Sequence, residues 1–219
     1  MPLRVVLVDD DPLVRTGLAM ILDSTPDLEV VGQAGDGDEA VPLVNRHAPD
    51  VVVMDIRMSR VNGLAATAAV RALPRPPAVL VLTTFDLDEY VFDALAGGAN
   101  GFLLKESSPQ EIIDAVRVVA RGESMLSPRT TTRLISHFVE QRSSPRRRRA
   151  AVSLSTLTER EREIVSAVAQ GKSNAVIAGE FYLSEATVKT HITRTFAKLD
   201  VANRVQLTIF AYEAGLVTP

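Results

Sequence analysis

The sequence predicts two domains of different class: an α/β domain built on a doubly wound, five-stranded parallel sheet, followed by an all-α domain. Three observations lead to this prediction. Five short apolar runs alternate with helix-length segments up to residue 122, which is typical of a parallel sheet covered by helices on both faces. Only helical patterns occur from residue 154 onward, and the charge changes sign between the two parts.

The five apolar runs are the predicted strands. They are rich in Val and Leu and alternate little with polar residues, as expected for strands buried on both faces. Since helices separate them, they should run parallel through right-handed crossovers. The predicted strands are residues 4–8, 29–32, 51–54, 78–82 and 101–104.

The segments between the strands are the predicted helices. Asp11-Pro12 and Ser108-Pro109 each put a capping residue before a proline at the first helical position, and Glu111 completes a capping box with Ser108. Pro42 would cost about 3 kcal/mol beyond the first turn of a helix, so its helix is expected to start late or to kink. The predicted helices are residues 12–24, 37–47, 64–73, 87–97 and 109–121.

The rest of the chain is predicted to be helical apart from a linker. Residues 127–139 read as a helix, and 140–153 as a linker containing Arg146–Arg149, which is either a solvated charge block or an extra set of phosphate contacts. Residues 159–170, 174–182, 185–199 and 203–214 read as four helices. We therefore predict a first domain over 1–122, a helix and linker over 123–153, and a second domain over 154–219.

The charge balance suggests a nucleic-acid partner for the second domain. Residues 1–125 contain 10 Lys and Arg against 19 Asp and Glu, a net charge of −9, whereas residues 126–219 have a net charge of +6. Such an asymmetry favours a nucleic-acid-binding half attached to a different one. The absence of cysteine excludes disulfides and thiolate metal sites. Since neither a signal peptide nor an apolar span of membrane length is found, a cytoplasmic protein without membrane contact is expected.

The polar residues that follow the predicted strands point to a phosphoryl-transfer site. Asp9 and Asp10 follow the first strand, Asp55 the third, Thr83 the fourth and Lys105 the fifth. In a sheet of order 2-1-3-4-5 the first and third strands are neighbours, so Asp10 and Asp55 should meet at the carboxyl edge, where such sheets bind ligands. Clustered carboxylates need a cation such as Mg²⁺. Asp55 could then attack phosphorus, with Thr83 and Lys105 binding phosphoryl oxygens.

These residues and their motifs resemble the receiver domain of bacterial two-component response regulators, which has the CheY-like, flavodoxin-like fold. The motifs are Val8-Asp9-Asp10-Asp11-Pro12, Val53-Met54-Asp55-Ile56-Arg57-Met58, Leu82-Thr83-Thr84-Phe85 and Gly101-Phe102-Leu103-Leu104-Lys105. The resemblance implies that Asp55 accepts phosphate from a sensor histidine kinase. It also implies that Asp10, Asp55 and the carbonyl of Arg57 ligate Mg²⁺, with Asp9 acting through water, and that Thr83 and Phe102 are the moving switch pair beside Lys105.

One residue departs from the family pattern. Ser59 stands where receiver domains usually have proline, which would stiffen the loop beside the phosphorylation site. Ser59 is expected to loosen this loop without removing a catalytic group.

The second domain has the spacing of a helix-turn-helix. In the predicted helix 185–199, Val188, Ile192, Phe196 and Leu199 should face the core. The remaining surface offers hydroxyls and cations suited to base edges and phosphates, although the pattern also fits a solvated basic face. The predicted DNA-binding residues are Thr187, Lys189, Thr190, His191, Thr193, Arg194 and Lys198.

The motifs of this domain resemble a LuxR-type helix-turn-helix. They are Leu157-Thr158-Glu159-Arg160-Glu161, Ser173-Asn174-Ala175-Val176-Ile177-Ala178 and Ser184-Glu185-Ala186-Thr187-Val188-Lys189-Thr190-His191. Both resemblances together place the chain in the NarL/FixJ class of response regulators. They imply that Lys189 and Thr190 lie near bases. Thr193 occupies a position that is basic in some relatives, which weakens base readout there.

The resemblance also implies a homodimer when phosphorylated, with 203–214 as the dimerisation helix. Its residues Val205, Ile209 and Tyr212 could instead complete the core of the domain itself. A hydrolase with Asp55 as nucleophile is the alternative from another class, but no second catalytic carboxylate or substrate domain is evident, so no enzyme is expected. A regulator that works without phosphate would be expected to lack some of Asp10, Asp55, Thr83 and Lys105, and all four are present.

Overall fold

A computed structural model of the chain describes residues 1–84, 93–95, 97–126 and 153–217. The chain divides into two compact units, Met1–Thr130 and Thr131–Pro219. Within the described ranges, none of the helices has the length and apolarity needed to span a membrane.

The first unit is built on a parallel sheet with the predicted strand order. Its strands are β1 (Leu3–Val8), β2 (Leu28–Ala34), β3 (Val51–Met54), β4 (Ala78–Thr83), β5 (Gly101–Leu104) and β6 (Met125–Leu126), in the order β2-β1-β3-β4-β5-β6. All neighbouring strands are parallel. The five predicted strands are confirmed. The sixth was not predicted, because two residues are too few to give a pattern.

The helices of this unit are α1 (Pro12–Asp23), α2 (Ala40–His47), α3 (Gly63–Arg71) and α4 (Pro109–Ala120), with a 3₁₀ turn over Gly37–Glu39 before α2. The helices α1 and α4 begin where the capping residues predict. Pro42 lies in the first turn of α2, so this helix does start late. The Asp11 side chain caps α1, and Ser108 with Glu111 forms the capping box of α4. Of the predicted helix 87–97, residues 93–95 are helical, and the remainder lies mostly outside the described residues.

The inner strands β3 and β4 are buried on both faces, which explains their nearly unbroken Val and Leu content, whereas the edge strand β2 has exposed Glu29 and Gln33. Val5 and Leu7 of β1 pack in one core with residues of α1 and α4, including Leu22 and Val116. The intervening Val6 is also fully buried. Because the inner strands are enclosed on both sides, the polar side chains of the site gather at and beyond the strand ends.

The second unit is all-α in its described part. Its helices are α5 (Glu159–Ala169), α6 (Asn174–Phe181), α7 (Glu185–Leu199) and α8 (Arg204–Glu213), packed around a common apolar core. A capping box of Thr158 and Glu161 starts α5, and Ser184 caps α7. The four predicted helices are confirmed to within two residues at their ends. The predicted helix 127–139 and nearly all of the linker 140–153, including Arg146–Arg149, lie outside the described residues.

Candidate functional site

Backbone hydrogen bonds between neighbouring strand ends bring the candidate site residues to one edge of the sheet. The N–H of Asp55, just beyond β3, donates to the carbonyl of Val8 at the end of β1, at 2.8 Å. The N–H of Lys105, just beyond β5, donates to the carbonyl of Thr83 at the end of β4, also at 2.8 Å. Asp55 and Lys105 therefore leave the sheet at the same edge.

Three carboxylates meet at this edge. One oxygen from each of Asp9, Asp10 and Asp55 can be chosen so that all three lie within 4.8 Å of one another. Asp9 and Asp55 are buried, whereas Asp10 is exposed. An all-oxygen donor set of this kind, open on one side to solvent, fits a hard divalent cation such as Mg²⁺ that keeps several of its waters.

Lys105 bridges two of these carboxylates. Its ammonium nitrogen lies 2.5 Å from Asp9 Oδ2 and 2.9 Å from Asp55 Oδ2. The Lys105 side chain is only 12% exposed, so solvent screens these ion pairs weakly. The other oxygen of Asp55, Oδ1, accepts a hydrogen bond from the N–H of Ile56 at 2.8 Å.

Burial and neighbouring charges shift the ionisation of this pair. Burial raises the pKa of Asp55, and the charge of Asp9 raises it further, against the opposing effects of Lys105 and the Ile56 N–H. Burial would lower the pKa of Lys105, but its hydrogen bonds to Asp9 and Asp55 and their charges outweigh burial and raise it. The lysine therefore remains charged at neutral pH, and Asp55 ionises less readily than an exposed aspartate.

The other predicted residues of the site lie at the end of β4, within β5 and in the loop beyond β3. Thr83 is fully buried at the end of β4. Phe102 is fully buried within β5, where its register partner is Val81 of β4. Arg57 is exposed, two residues beyond Asp55. The structure thus joins Asp9, Asp10, Asp55 and Lys105 by short distances, and Thr83 through its backbone bond to Lys105.

Two neighbours of the site were not predicted. The guanidinium of Arg15, on α1, donates to the carbonyl of Asp9. Gly63 begins α3 with its backbone against Asp55, where an added Cβ would overlap the Asp55 carbonyl oxygen. The Asn62-Gly63 pair signals a turn in the sequence, but only the tertiary structure reveals the close contact.

In the second unit, α7 has the predicted division between a core face and an exposed face. Val188, Ile192 and Leu199 are buried, and Phe196 packs against the core with partial exposure. Thr195 is also fully buried, and its hydroxyl is satisfied because it donates to the carbonyl of His191 at 2.9 Å. Its burial was missed, since the sequence pattern marks threonine as a surface residue.

The exposed face of α7 carries most of the predicted DNA-binding residues. His191 is partly buried, and the others are exposed: Thr187, Lys189, Thr190, Thr193, Arg194 and Lys198. The hydroxyls of Thr190 and Thr193 donate to the carbonyls of Ala186 and Lys189, both at 2.9 Å. In this arrangement the two threonines keep acceptor lone pairs and methyl groups on the exposed face of α7.

The cations on this face differ in their surroundings. Lys198 Nζ lies 2.7 Å from Glu161 Oε2, so its charge is already paired inside the unit. Within the described part of the chain, Lys189 and Arg194 form no ion pair. Arg194 is therefore a better candidate than Lys198 for a phosphate contact.

Helix α8 contributes to the core of its own unit. Leu207, Phe210 and Ala211 lie in the apolar core, and Val205 is buried. Ile209 and Tyr212 are only partly buried. The helix therefore contributes to the core of its unit, but of the three residues predicted for this role only Val205 is buried. Its role in dimerisation remains a prediction.

Comparison with known families matches both units. The family described as "Response regulator receiver domain" matches residues 5–117, and "Bacterial regulatory proteins, luxR family" matches residues 155–211. The uncharacterized transcriptional regulatory protein YxjL of Bacillus subtilis (strain 168) is 39% identical over 216 residues, which are 98% of this chain and 97% of YxjL. The transcriptional regulatory protein LiaR of the same strain is 38% identical, over 98% of this chain and 99% of LiaR.

A solved structure also matches over nearly the whole length. The response regulator ChrA of a heme-sensing two-component system is 36% identical, with 99% of both chains covered and a TM-score of 0.54.

Proposed function

The chain belongs to the response regulators that join a receiver domain to a LuxR-type DNA-binding domain, and on that premise we propose that phosphorylation of Asp55 controls its binding to DNA. The family is one of transcriptional regulators, not of enzymes. The observation that carries the proposal is the acidic cluster in which the buried carboxylate of Asp55 meets the ammonium of Lys105 at 2.9 Å.

The chemical step is transfer of a phosphoryl group to Asp55. A carboxylate oxygen attacks phosphorus, either of a phosphohistidine on the partner kinase or of an acyl phosphate. The new bond joins that oxygen to phosphorus, and the bond from phosphorus to the donor nitrogen or oxygen breaks with its electron pair. Each Asp55 oxygen accepts one protein hydrogen bond, so lone pairs remain for the attack.

The residues that would hold Mg²⁺ are Asp9, Asp10, Asp55 and the backbone carbonyl of Arg57. The three carboxylates support this assignment by their mutual distances. The bound cation would neutralise the charge that gathers between the carboxylates and the incoming phosphoryl group.

Three further residues respond to the phosphate. The ammonium of Lys105 exchanges its bond to Asp55 for one to a phosphoryl oxygen, and the hydroxyl of Thr83 turns to another. Phe102 of β5 moves together with Thr83 as the switch pair. Because Thr83 and Phe102 are fully buried, their movement requires a rearrangement of the packing around them.

The output is sequence-specific DNA binding by α7, as two copies on a near-palindromic site. Lys189 and Thr190 contact bases, Arg194 contacts phosphates, and Thr187, His191, Thr193 and Lys198 line the interface. Phosphorylation promotes homodimerisation or frees a masked α7. The phosphate donor is a sensor histidine kinase, whose catalytic part lies in the cytoplasm together with the DNA. The phosphate must differ in its interaction with two states of the protein to shift them.

The test of the phosphoacceptor uses the full chain with Mg²⁺ and acetyl phosphate. Wild type should gain one acid-labile phosphate, located by mass spectrometry of the reduced aspartyl phosphate, and Asp55→Asn should gain none. Asp50→Asn, which removes a carboxylate just before β3 at the opposite edge of the sheet, is the matched control and should be labelled normally. Equal labelling of Asp55→Asn would disprove the assignment.

A second measurement tests the coupling. The DNA affinity and the solution mass of the full chain are measured with and without phosphate on Asp55. At least one of these two quantities should differ between the two forms. If the DNA affinity and the solution mass are both the same in the two forms, phosphorylation neither promotes dimerisation nor unmasks α7.

A further inference from the structure

Asp36, in the loop after β2, binds the backbone of the loop that follows the phosphorylation site. Its carboxylate is buried, and the residue is only 3% exposed. Oδ2 accepts a hydrogen bond from the N–H of Arg60 and Oδ1 accepts one from the N–H of Val61, both at 2.8 Å. Consecutive N–H groups of the loop 57–62 are thus held by the two oxygens of one side chain.

Further contacts fix the same loop. An added Cβ on Gly37 would overlap the carbonyl oxygen of Val61, so the two backbones are in direct contact. The guanidinium of Arg60 pairs with Glu39 at 2.8 Å and with Asp38 at 3.1 Å. At its far end, the N–H of Gly63 donates to the carbonyl of Ile56 at 2.8 Å.

We propose that Asp36 is a positioning residue for the cation site, which it serves by holding the loop 57–62, where Ser59 stands at the position usually occupied by proline in receiver domains. The inference rests on the proposed function, because it assigns the carbonyl of Arg57 to Mg²⁺. A proline would restrict the loop by fixing one backbone torsion. Asp36 restricts it through two hydrogen bonds to a carboxylate, which are stronger than bonds between neutral groups.

The burial of Asp36 makes its hydrogen bonds to the loop necessary. A buried carboxylate is tolerated only when its oxygens are well hydrogen-bonded. Burial alone would raise the pKa of Asp36, but the N–H groups of Val61 and Arg60 together with the Arg60 charge overcome that effect and lower it. Asp36 is therefore ionised at neutral pH, and release of the loop would leave its carboxylate without these two backbone hydrogen bonds.

The test measures Mg²⁺ affinity directly rather than phosphorylation. Mg²⁺ is titrated into the full-length protein, and the amide resonance of Ile56 is followed by NMR. Residues that orient metal ligands typically contribute about 10–100-fold to affinity. Asp36→Ala should weaken Mg²⁺ binding about tenfold, at the low end of that range. Asp36→Asn retains one acceptor oxygen and should give an intermediate loss.

Asp50 is the matched control, because its carboxylate also accepts a backbone hydrogen bond but lies at the opposite edge of the sheet. Asp50 Oδ2 accepts a hydrogen bond from the N–H of Arg4 at 2.8 Å. Asp50→Ala should leave the Mg²⁺ affinity unchanged. If Asp50→Ala weakens Mg²⁺ binding as much as Asp36→Ala does, the effect is one of general stability and the proposal is wrong.

Replacing Ser59 by proline tests whether Asp36 acts by positioning the loop 57–62 or by stabilising the protein in general. Ser59→Pro stiffens the loop by another route, so Asp36→Ala should cost less Mg²⁺ affinity in the Ser59→Pro background than in wild type. An equal loss in both backgrounds overturns the proposal. Failure of the proposed function is recognised separately, since wild type would then gain no phosphate on Asp55 while the Mg²⁺ series still reports on Asp36.

Discussion

Lys198 Nζ lies 2.7 Å from Glu161 Oε2, and the same carboxylate oxygen accepts hydrogen bonds from the backbone and hydroxyl of Thr158. The last turn of α7 is thereby joined to the capping box that starts α5. Glu161 is buried, whereas Lys198 is partly exposed. A cation expected to contact DNA phosphates therefore also ties the end of α7 to α5.

Replacing Lys198 by Met should destabilise the second domain in a pH-dependent way. The hydrogen bond from Lys198 is the largest effect on Glu161, and with Thr158 it overcomes burial and lowers the pKa of Glu161 below its ordinary 4.5. A lowered folded pKa gives stability that is present above pH 4.5 and is lost as pH falls through the folded value. We expect a loss of about 1 kcal/mol at pH 7, shrinking below pH 4.5.

The measurement is thermal unfolding of the full chain by calorimetry between pH 3 and 7. Lys172→Met is the control, because Lys172 pairs with the more exposed Glu180 at 2.7 Å. That change should cost less. A Lys198→Met deficit that stays constant down to pH 3 would contradict the assignment to Glu161.

Replacing Asp55 by Asn should stabilise the receiver domain at neutral pH when Mg²⁺ is absent. Burial raises the pKa of Asp55, so its ionised form is disfavoured in the fold. A raised folded pKa makes the stability contribution greatest at low pH, and that contribution is lost as pH rises through the folded value. The gain from Asp55→Asn should therefore be present at pH 7 and disappear toward pH 4. Melting temperatures in a chelator test this, and a less stable variant at pH 7 would refute it.

Gly63→Ala should damage both stability and the site. Its Cβ would overlap the carbonyl oxygen of Asp55, so the start of α3 or the end of β3 must shift. Overpacking of this kind costs about 1–3 kcal/mol. Gly17→Ala is the matched control, because nothing lies within 4 Å of a Cβ there and the residue is inside α1. That change should stabilise by about 0.5–1 kcal/mol. Chemical denaturation distinguishes the two, and equal free energies of unfolding would argue against the close contact.

Lys189 and Arg194 should differ in how their loss affects DNA binding. A bidentate base contact discriminates by about 1–3 kcal/mol, so Lys189→Ala should relax the sequence preference at one position of each half-site. Arg194→Ala should weaken binding to all sequences alike and reduce the salt slope by about 0.9 for each phosphate that is no longer neutralised. Affinities for a panel of operator variants at several salt concentrations test both.

Correct folding of these two variants is established first by their melting temperatures. If Lys189→Ala weakens binding equally for every operator variant, Lys189 is a phosphate contact and the orientation proposed for α7 is incorrect.

The sequence predicted the sheet well because its strands carry an unmistakable pattern. Val51–Met54 is apolar throughout and buried on both faces, so its ends were predicted to the residue. The rule that parallel strands present their carboxyl ends at one edge predicted that Asp10 and Asp55 would meet there. It did not predict that Lys105 would bridge Asp9 and Asp55.

The remaining features depend on packing between distant segments. Glu161 and Lys198 belong to different helices, and no local pattern indicates that they pair. Asp36 looks like an ordinary turn residue before Gly37, and only the folded chain brings it to the N–H groups of Arg60 and Val61. Arg15 likewise reaches Asp9 through the docking of α1.

The separation between buried strands and reactive strand ends bears on how such a protein can change over generations. Exchanges among aliphatic residues of similar volume in the strands usually cost less than about 1.5 kcal/mol, and residues such as Val5, Leu7 and Val53 take no part in the acidic cluster. Lineages can therefore adjust thermal tolerance through the interior of the sheet while signalling chemistry at its edge stays intact.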